Sequence, residues 1–377
     1  MPLPYRVLVL GGYGFFGRRL VTRLAQQAGY ELIVAGRSQG RAQALVAAVQ
    51  PAAAARLRSE AIDVQADDLP ARLRQWAPHA VVHAAGPFQG QDYRVAQACI
   101  AAGAHYIDLA DGREFVAGIT ALHRPAAAAG VAVVSGASSV PALSCAAVDA
   151  LADGLATVQR IDIGISPGNR TERGLSTVRA ILGYCGQPLP AMDSSPTYGW
   201  SGRWEHAYPA PVGPRLLSPC DVPDLTLLPP RYPGRPSVRF GAGLELRFLH
   251  RGMNLMALLA RWGLVRDWSA HAALLKRAGD WFTAWGSDAG AMHVAVQGLR
   301  PDGQPQHRLW HLLATSGDGP YVPTLAAAAL LRRWRAGPAP APGARPCLGL
   351  LSLADFRREC EGLQITLPEG GGSGVAP

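Results

Sequence analysis

Two rhythms of apolar residues divide this chain. In residues 1–150 the apolar positions come as short unbroken runs separated by stretches with helical periodicity. Residues 6–10 form one such run, bounded by glycines, as a strand buried on both faces does. Residues 15–27 read as a helix, 31–35 as the next strand and 39–49 as the next helix. A third strand is expected within 56–64, a fourth at 78–84, a helix at 91–102, a fifth strand at 105–109 and a sixth at 131–134. Such alternation predicts βαβ units on a parallel sheet.

From about residue 158 the texture changes. Residues 160–166 look like a strand of mixed polarity, and 186–241 read as a long irregular stretch rich in Pro, Gly, Trp and Tyr. Two amphipathic helical patterns follow, 254–265 and 268–285. Strands are expected at 292–299 and 307–315, joined around Pro301-Asp302-Gly303, a hairpin turn signal. Residues 323–334 read as a helix, 336–346 as a Pro/Ala linker, 353–362 as a short returning helix, and 369–377 as disordered. The expected organisation is therefore α/β: a doubly wound parallel sheet over 1–150, an α+β substrate or dimerisation domain over 151–335, and a linker, helix and tail over 336–377.

In an open parallel sheet, ligands bind beyond the carboxyl ends of the strands. After the first strand comes Gly11-Gly12-Tyr13-Gly14, and after the second Gly36-Arg37-Ser38. The third ends near Asp63 and the fourth leads to Ala85-Gly86-Pro87. The fifth gives Ala110-Asp111-Gly112 and the sixth Ser135-Gly136-Ala137-Ser138-Ser139. Small residues recur along this edge, which lets a ligand approach the backbone.

The sharpest motif lies there. Gly12-Tyr13-Gly14-Phe15-Phe16-Gly17 matches G-x-G-x-x-G, follows a strand and opens a helix. That context makes it a dinucleotide signal, with the pyrophosphate at the helix N-terminus. The first domain therefore reads as a Rossmann domain. An NAD site usually carries an acid at the end of the second strand for the ribose 2′-hydroxyl. This chain has Arg37 and Ser38 instead, with Arg41 nearby, and arginine suits a 2′-phosphate. NADP(H) is therefore favoured over NAD(H). Asp63 either accepts from the adenine amino group or simply ends its strand.

Composition narrows the partners. Basic residues outnumber acidic ones 36 to 27, yet they are scattered, and Lys276 is the sole lysine. No dense basic run with interleaved aromatics points to nucleic acid. The six cysteines form no C-x-x-C pair, so no zinc or redox motif and no metal site is expected, and reduced thiols fit a cytoplasmic setting. The N-terminus lacks a signal-peptide layout. Residues 253–265 are too short for a bilayer span, which needs about 20 apolar residues; the stretch to Trp285 could instead lie on a membrane surface. Gly11, Gly14 and Gly17 also fit the G-x-x-G-x-x-G of short-chain dehydrogenases. Their Tyr-x-x-x-Lys pair is absent, because Ala272 stands four residues before Lys276.

Residues 11–17, Val81-Val82-His83-Ala84-Ala85-Gly86-Pro87-Phe88, His105-Tyr106-Ile107-Asp108-Leu109-Ala110-Asp111-Gly112 and Gly317-Asp318-Gly319-Pro320-Tyr321 together resemble the saccharopine dehydrogenase-like family. They look closest to its bacterial branch of uncharacterised members and trans-acting enoyl reductases. The resemblance covers residues 5–335 and implies an NADP-binding Rossmann domain plus an α+β domain over the nicotinamide, often dimeric. It places Gly12, Gly14 and Gly17 in the phosphate loop, and Ala85-Gly86-Pro87 beside the ribose and nicotinamide. His83 stands where the family more usually has Asn. Residues 135–141 lack the carboxylate of the Asp-Pro-Gly loop found in saccharopine reductases, which weakens the case for an amino-acid substrate.

Asp111 is the best-placed acid for moving a proton, although an Asp-Gly turn is the common use of that pair. Glu205, His206 and the Cys220-to-Asp224 run read as turn residues. Satisfied structural histidines are the expectation for His293, His307 and His311. Reduction of an enoyl thioester needs no strong acid, since water or a weak donor can protonate the enolate, and the Trp-rich stretch 261–285 would offer an apolar wall for an acyl chain. The reading is an NADP-dependent oxidoreductase, with C=C reduction of an acyl or lipid-like enoyl compound ahead of imine or carbonyl reduction. A non-catalytic cofactor-binding protein is the competing class, and a homo-oligomer is expected.

Overall fold

The computed structural model describes residues 3–189 and 196–368. The chain forms two compact units, and each is discontinuous in sequence. The first comprises Met1–Ala142 with Tyr321–Leu351, the second Leu143–Pro320 with Ser352–Pro377.

The first unit begins β1 (Tyr5–Leu10), α1 (Gly17–Ala25), β2 (Tyr30–Gly36), α2 (Gln39–Val49), β3 (Arg56–Ala61) and α3 (Leu69–Trp76). It continues β4 (Ala80–His83), α4 (Arg94–Ala102), β5 (His105–Asp108), α5 (Arg113–Gly118), α6 (His123–Ala128) and β6 (Ala132–Ser135). These six strands lie in the order β6-β5-β4-β1-β2-β3, and every pairing is parallel. The order reverses between β1 and β4, so the crevice beyond those two strands is the topological switch point. Val7, Leu8, Val9 and Leu10 are wholly buried, which is why this strand is a continuous apolar run rather than an alternating one. Leu8, Leu10, Ile33, Leu73, Val81 and Tyr106 belong to one core cluster.

Two features depart from the sequence reading here. Gly343–Pro346 forms a seventh parallel strand, paired with β6 from Gly343↔Ala132 to Pro346↔Ser135, where a linker was expected. The helix Val322–Ala336, expected in the second domain, packs in the first unit against α1. Its run from Leu325 to Leu331 is buried throughout.

The second unit is built on a mixed seven-stranded sheet. Thr157–Ser166 lies near its centre, parallel to Ser237–Ala242 and antiparallel to Gly290–Leu299. Gly290–Leu299 and Pro305–Ala314 form the expected hairpin, in register from Gly290↔Ala314 to Leu299↔Pro305. Residues 186–241 are not irregular throughout. They hold the strands Trp204–Ala207, Pro214–Pro219 and Ser237–Ala242 and the short helix Asp224–Leu227. Helices Ser144–Ala152, Leu175–Gly183, Arg247–Arg261 and Ala272–Asp280 complete the unit, with Leu353–Glu359 returning to it. The pattern expected as one helix over 268–285 is three pieces: short turns at Ser269–His271 and Thr283–Trp285 flank Ala272–Asp280. The tail 369–377 lies outside the described residues. Among the described residues no helix is long and apolar enough to cross a membrane.

Candidate functional site

The carboxyl edge of the first sheet is assembled from the glycines outward. Gly11 leaves β1 with φ +74°, a conformation L side chains rarely adopt. Its N–H donates to the Ala35 carbonyl at 2.8 Å, which ties the loop to β2. Gly14 donates back to the Gly11 carbonyl at 2.8 Å. A methyl group on Gly14 would lie 2.9 Å from that same oxygen, and one on Gly17 would overlap it. The loop is thus closed around the Gly11 carbonyl, and α1 begins directly at Gly17. The N-cap is Phe16, whose side chain has no acceptor to offer; the Arg18 and Arg19 amides donate to the Gly14 and Phe16 carbonyls at 3.0 and 3.1 Å, and the positive dipole end at Gly17 favours an anion. Phe15 and Phe16 pack edge to face at 4.9 Å, and the Arg19 guanidinium sits over the Phe15 ring.

Tyr13 connects this loop to the end of β2. Its hydroxyl accepts from the Ser38 N–H at 2.8 Å, and the Arg41 guanidinium stacks 4.8 Å from its ring centre. A side chain at Gly36 would collide with the Tyr13 ring, 2.7 Å away. Ser38 caps α2, its hydroxyl accepting from the Arg41 N–H. Arg37 projects exposed between these residues. Two arginines, one serine and no acid therefore stand at the end of β2. Asp63 is exposed after β3, and its carboxylate accepts from the Gln65 N–H at 3.0 Å, so it forms the turn that ends the strand.

After β4, Ala85-Gly86-Pro87 carries a cis peptide bond before the proline. Gln91 pins this loop, donating to the Ala85 carbonyl at 3.0 Å and to the Pro87 carbonyl at 2.6 Å. Asp111 follows β5, partly buried, and its carboxylate accepts from Gln89 at 3.3 Å. The Asp-Gly pair thus sits against the Ala-Gly-Pro loop rather than in an open turn.

Beneath these loops lies a buried polar network that the sequence reading did not assemble. His83 and Asp108 are paired neighbours at the ends of β4 and β5, and Tyr106 lies two residues before Asp108 on the same face. His83 Nδ1 meets the Tyr106 hydroxyl at 3.1 Å. One Asp108 oxygen accepts from the Gly136 N–H at 2.8 Å, and from the Ala110 N–H and the Ser135 hydroxyl at 3.0 Å each. Burial pushes the Asp108 carboxyl up to about 6 against the pull of those donors, and pushes His83 down to about 4. The signal was present: a histidine ending an apolar strand, and a tyrosine and an aspartate spaced two apart on its neighbour.

The second unit gathers its own polar groups. His206 lies on the strand Trp204–Ala207, not in a turn, and stacks on His293 with ring centres 3.6 Å apart. Its Nε2 faces His311 Nε2 at 3.0 Å, and His293 Nδ1 meets the Tyr208 hydroxyl at 2.9 Å. Burial and then the neighbouring imidazoles push His206 down to about 3, and the same causes push His311 down to about 4. His311 and His293 thus find partners in His206 and Tyr208. Among the described residues no group of His, Cys, Asp or Glu is arranged to hold a metal ion. An open cleft of about 300 Å³ is lined by Tyr198, Ser201, Trp204, Arg239 and Arg261. Arg261 stacks on Tyr198 and Arg239 on Trp204, at 4.2 and 4.3 Å.

Fold and loop together define an NADP-binding Rossmann unit joined in one chain to a mixed-sheet unit. Residues 7–134 match the family model described as the saccharopine dehydrogenase NADP binding domain. The structure of apo saccharopine dehydrogenase (L-Glu forming) from Saccharomyces cerevisiae shares the fold, with a TM-score of 0.63 at 14% identity over 97% of this chain and 100% of that one. Yeast methylglyoxal/isovaleraldehyde reductase, solved with NADPH, is 20% identical over 27% of this chain and 36% of its own, with a TM-score of 0.23. No curated protein matches the chain. The matching model assigns NADP(H) to residues 7–134, and the chain as a whole shares the fold of the yeast enzyme.

Proposed function

We propose that this protein is an NADP(H)-dependent reductase whose substrate carries a C=C bond in an acyl or lipid-like enoyl group. The observation that carries the cofactor half is the glycine loop closed on the Gly11 carbonyl beside an acid-free strand end bearing Arg37, Ser38 and Arg41. In this reading the backbone of Gly12, Tyr13, Gly14, Phe15, Phe16 and Gly17 holds the pyrophosphate. Arg37 and Ser38 take the 2′-phosphate, and Arg41 is held beside them on the Tyr13 ring. Asp63 remains available to the adenine edge. Ala85, Gly86 and Pro87, fixed by Gln91, line the ribose and nicotinamide side. When bound, the cofactor supplies the hydride.

The enoyl half rests on what surrounds the end of the sheet where the nicotinamide would lie. Across residues 84–88, 110–112 and 135–141 the only ionisable side chain is Asp111. Alkene reduction asks no more of the protein than a weak donor, and Asp111, oriented by Gln89, can hold or move that proton. A second reading is reduction of an imine or carbonyl on an amino-acid-like compound. It is favoured by Arg261 in the cleft of the second unit, where a carboxylate would find a cation, Arg239 there being paired with Asp162.

The test is NADPH consumption by the full chain against a panel of enoyl thioesters and a panel of imines and keto acids. Turnover of enoyl thioesters supports the proposal, and a fall of about 10²-fold or more in Asp111→Asn would assign the proton to Asp111. Turnover confined to the imine panel supports the second reading. Turnover of neither panel, with NADPH bound, contradicts both and leaves a non-catalytic cofactor-binding protein.

A further inference from the structure

The helix Arg247–Arg261 in the second unit is amphipathic in the inverse sense. Its packed side carries polar groups beside the buried Ala257: His250 is fully buried and meets the Ser218 hydroxyl at 2.9 Å. Asn254, one turn on, donates to the Trp200 carbonyl at 2.8 Å and to Ser218 at 2.9 Å. Its outer side is apolar. Phe248 and Leu255 are 46% and 57% exposed, and Trp262, just past the helix end, is 66% exposed. Their seven-residue spacing sets them in one stripe. Outward apolar side chains continue with Leu274 on the helix Ala272–Asp280, 68% exposed, and Trp281 just past its end, 81% exposed. The rings of Phe248, Phe282 and Trp285 touch edge to face and join the two stripes. An outward polar face is the rule for a helix packed on a domain surface, so this reversal requires a cause.

Charge indicates the kind of partner. Residues 247–285 carry six basic and two acidic side chains. Arg247 and Lys276 are paired with Glu205 and Asp280. Arg251, Arg266 and Arg277 are exposed and make no ion pair among the described residues. Each lies three or four residues from an outward apolar side chain: Arg251 from Phe248 and Leu255, Arg266 from Trp262, Arg277 from Leu274 and Trp281. Tryptophan and leucine flanked by arginine are the composition of a segment that lies in the interface of an anionic bilayer.

We propose that the outward face of residues 247–285 docks on an anionic phospholipid surface, with its tryptophan and leucine side chains entering the headgroup region and Arg251, Arg266 and Arg277 pairing with lipid phosphates. This face binds the lipid surface whatever the chain reduces.

The experiment is co-sedimentation of the full chain with vesicles of phosphatidylcholine alone and of mixed phosphatidylcholine and phosphatidylglycerol, beside light-scattering mass in solution. NADPH binding by each variant serves as the folding control. The proposal expects partition onto the mixed vesicles that weakens with salt. It should fall about five-fold for each of Arg251→Gln, Arg266→Gln and Arg277→Gln, the equivalent of ~1 kcal/mol per cationic side chain at an anionic surface. Trp281→Asp should abolish it while NADPH binding stays unchanged. No partition onto the mixed vesicles overturns the proposal. So does equal partition onto phosphatidylcholine alone, and so does a dimer that Trp281→Asp converts to monomer, which would assign the face to a second copy.

Discussion

Gly17 shows how little freedom single residues have at the cofactor loop. A methyl group there overlaps the Gly11 carbonyl, which already accepts the bond closing the loop. Overpacking of this kind costs about 1–3 kcal/mol. Gly17→Ala should therefore weaken NADPH binding by ~10-fold or more in calorimetry; unchanged affinity would show that the loop does not carry the pyrophosphate. His83 and Asp108 make a second prediction at this scale. Burial lowers His83 from 6.5 to about 4, so its contribution to stability is full above pH 6.5 and is lost as pH falls through about 4. That is about 3 kcal/mol. Asp108 is raised from 3.8 to about 6, so its contribution is full below pH 3.8 and is lost as pH rises through about 6. The two slopes oppose each other in between. Denaturant unfolding of His83→Asn should lose the acid-side decline, and that of Asp108→Asn should show it steepened; superimposable pH profiles would contradict the assignment. The glycines were legible in the sequence because backbone approach leaves only one residue type. The His83–Tyr106–Asp108 network was not, because residues in strand register declare their partners only once the sheet order is known.

At the scale of elements, legibility followed burial. Strands β1, β2, β4, β5 and β6 are buried over most of their length and announced themselves as apolar runs, whereas the edge strand β3 is exposed or half-buried throughout and showed only weakly. Gly343–Pro346 reads Gly-Ala-Arg-Pro, with no run at all, and still forms a strand because the free edge of β6 supplies its hydrogen-bond partners. Proline suits it, since an edge strand leaves one row of backbone groups unpaired. The strands Trp204–Ala207 and Pro214–Pro219 escaped notice for the same reason, being short and, in the second, closed by proline at both ends. The edge strand should still matter. Ala344 is 2% exposed within the first unit's core cluster. Ala344→Asp places a carboxylate there without a partner, and a loss of about 3 kcal/mol or more is expected in denaturant unfolding. A loss within about 0.5 kcal/mol, the range of ordinary surface changes, would show that this strand is not part of the folded unit.

The whole molecule is a division of labour inside one chain: a parallel-sheet unit that binds NADP(H), closed by segments from beyond residue 320, and a mixed-sheet unit with a histidine cluster, an arginine-lined cleft and an exposed aromatic face. Sequence alternation exposed the first unit readily. It placed the boundary differently, because nothing local in residues 321–351 marks them as belonging to a sheet that starts at Tyr5. Everything proposed about chemistry depends on the cofactor edge, and that edge is tested by calorimetric titration of the full chain with NADPH and NADH, repeated with Arg37→Asp. The account predicts tighter binding of NADPH and a preference that Arg37→Asp erases or reverses; failure of both nucleotides to bind, or a preference untouched by the substitution, would contradict it.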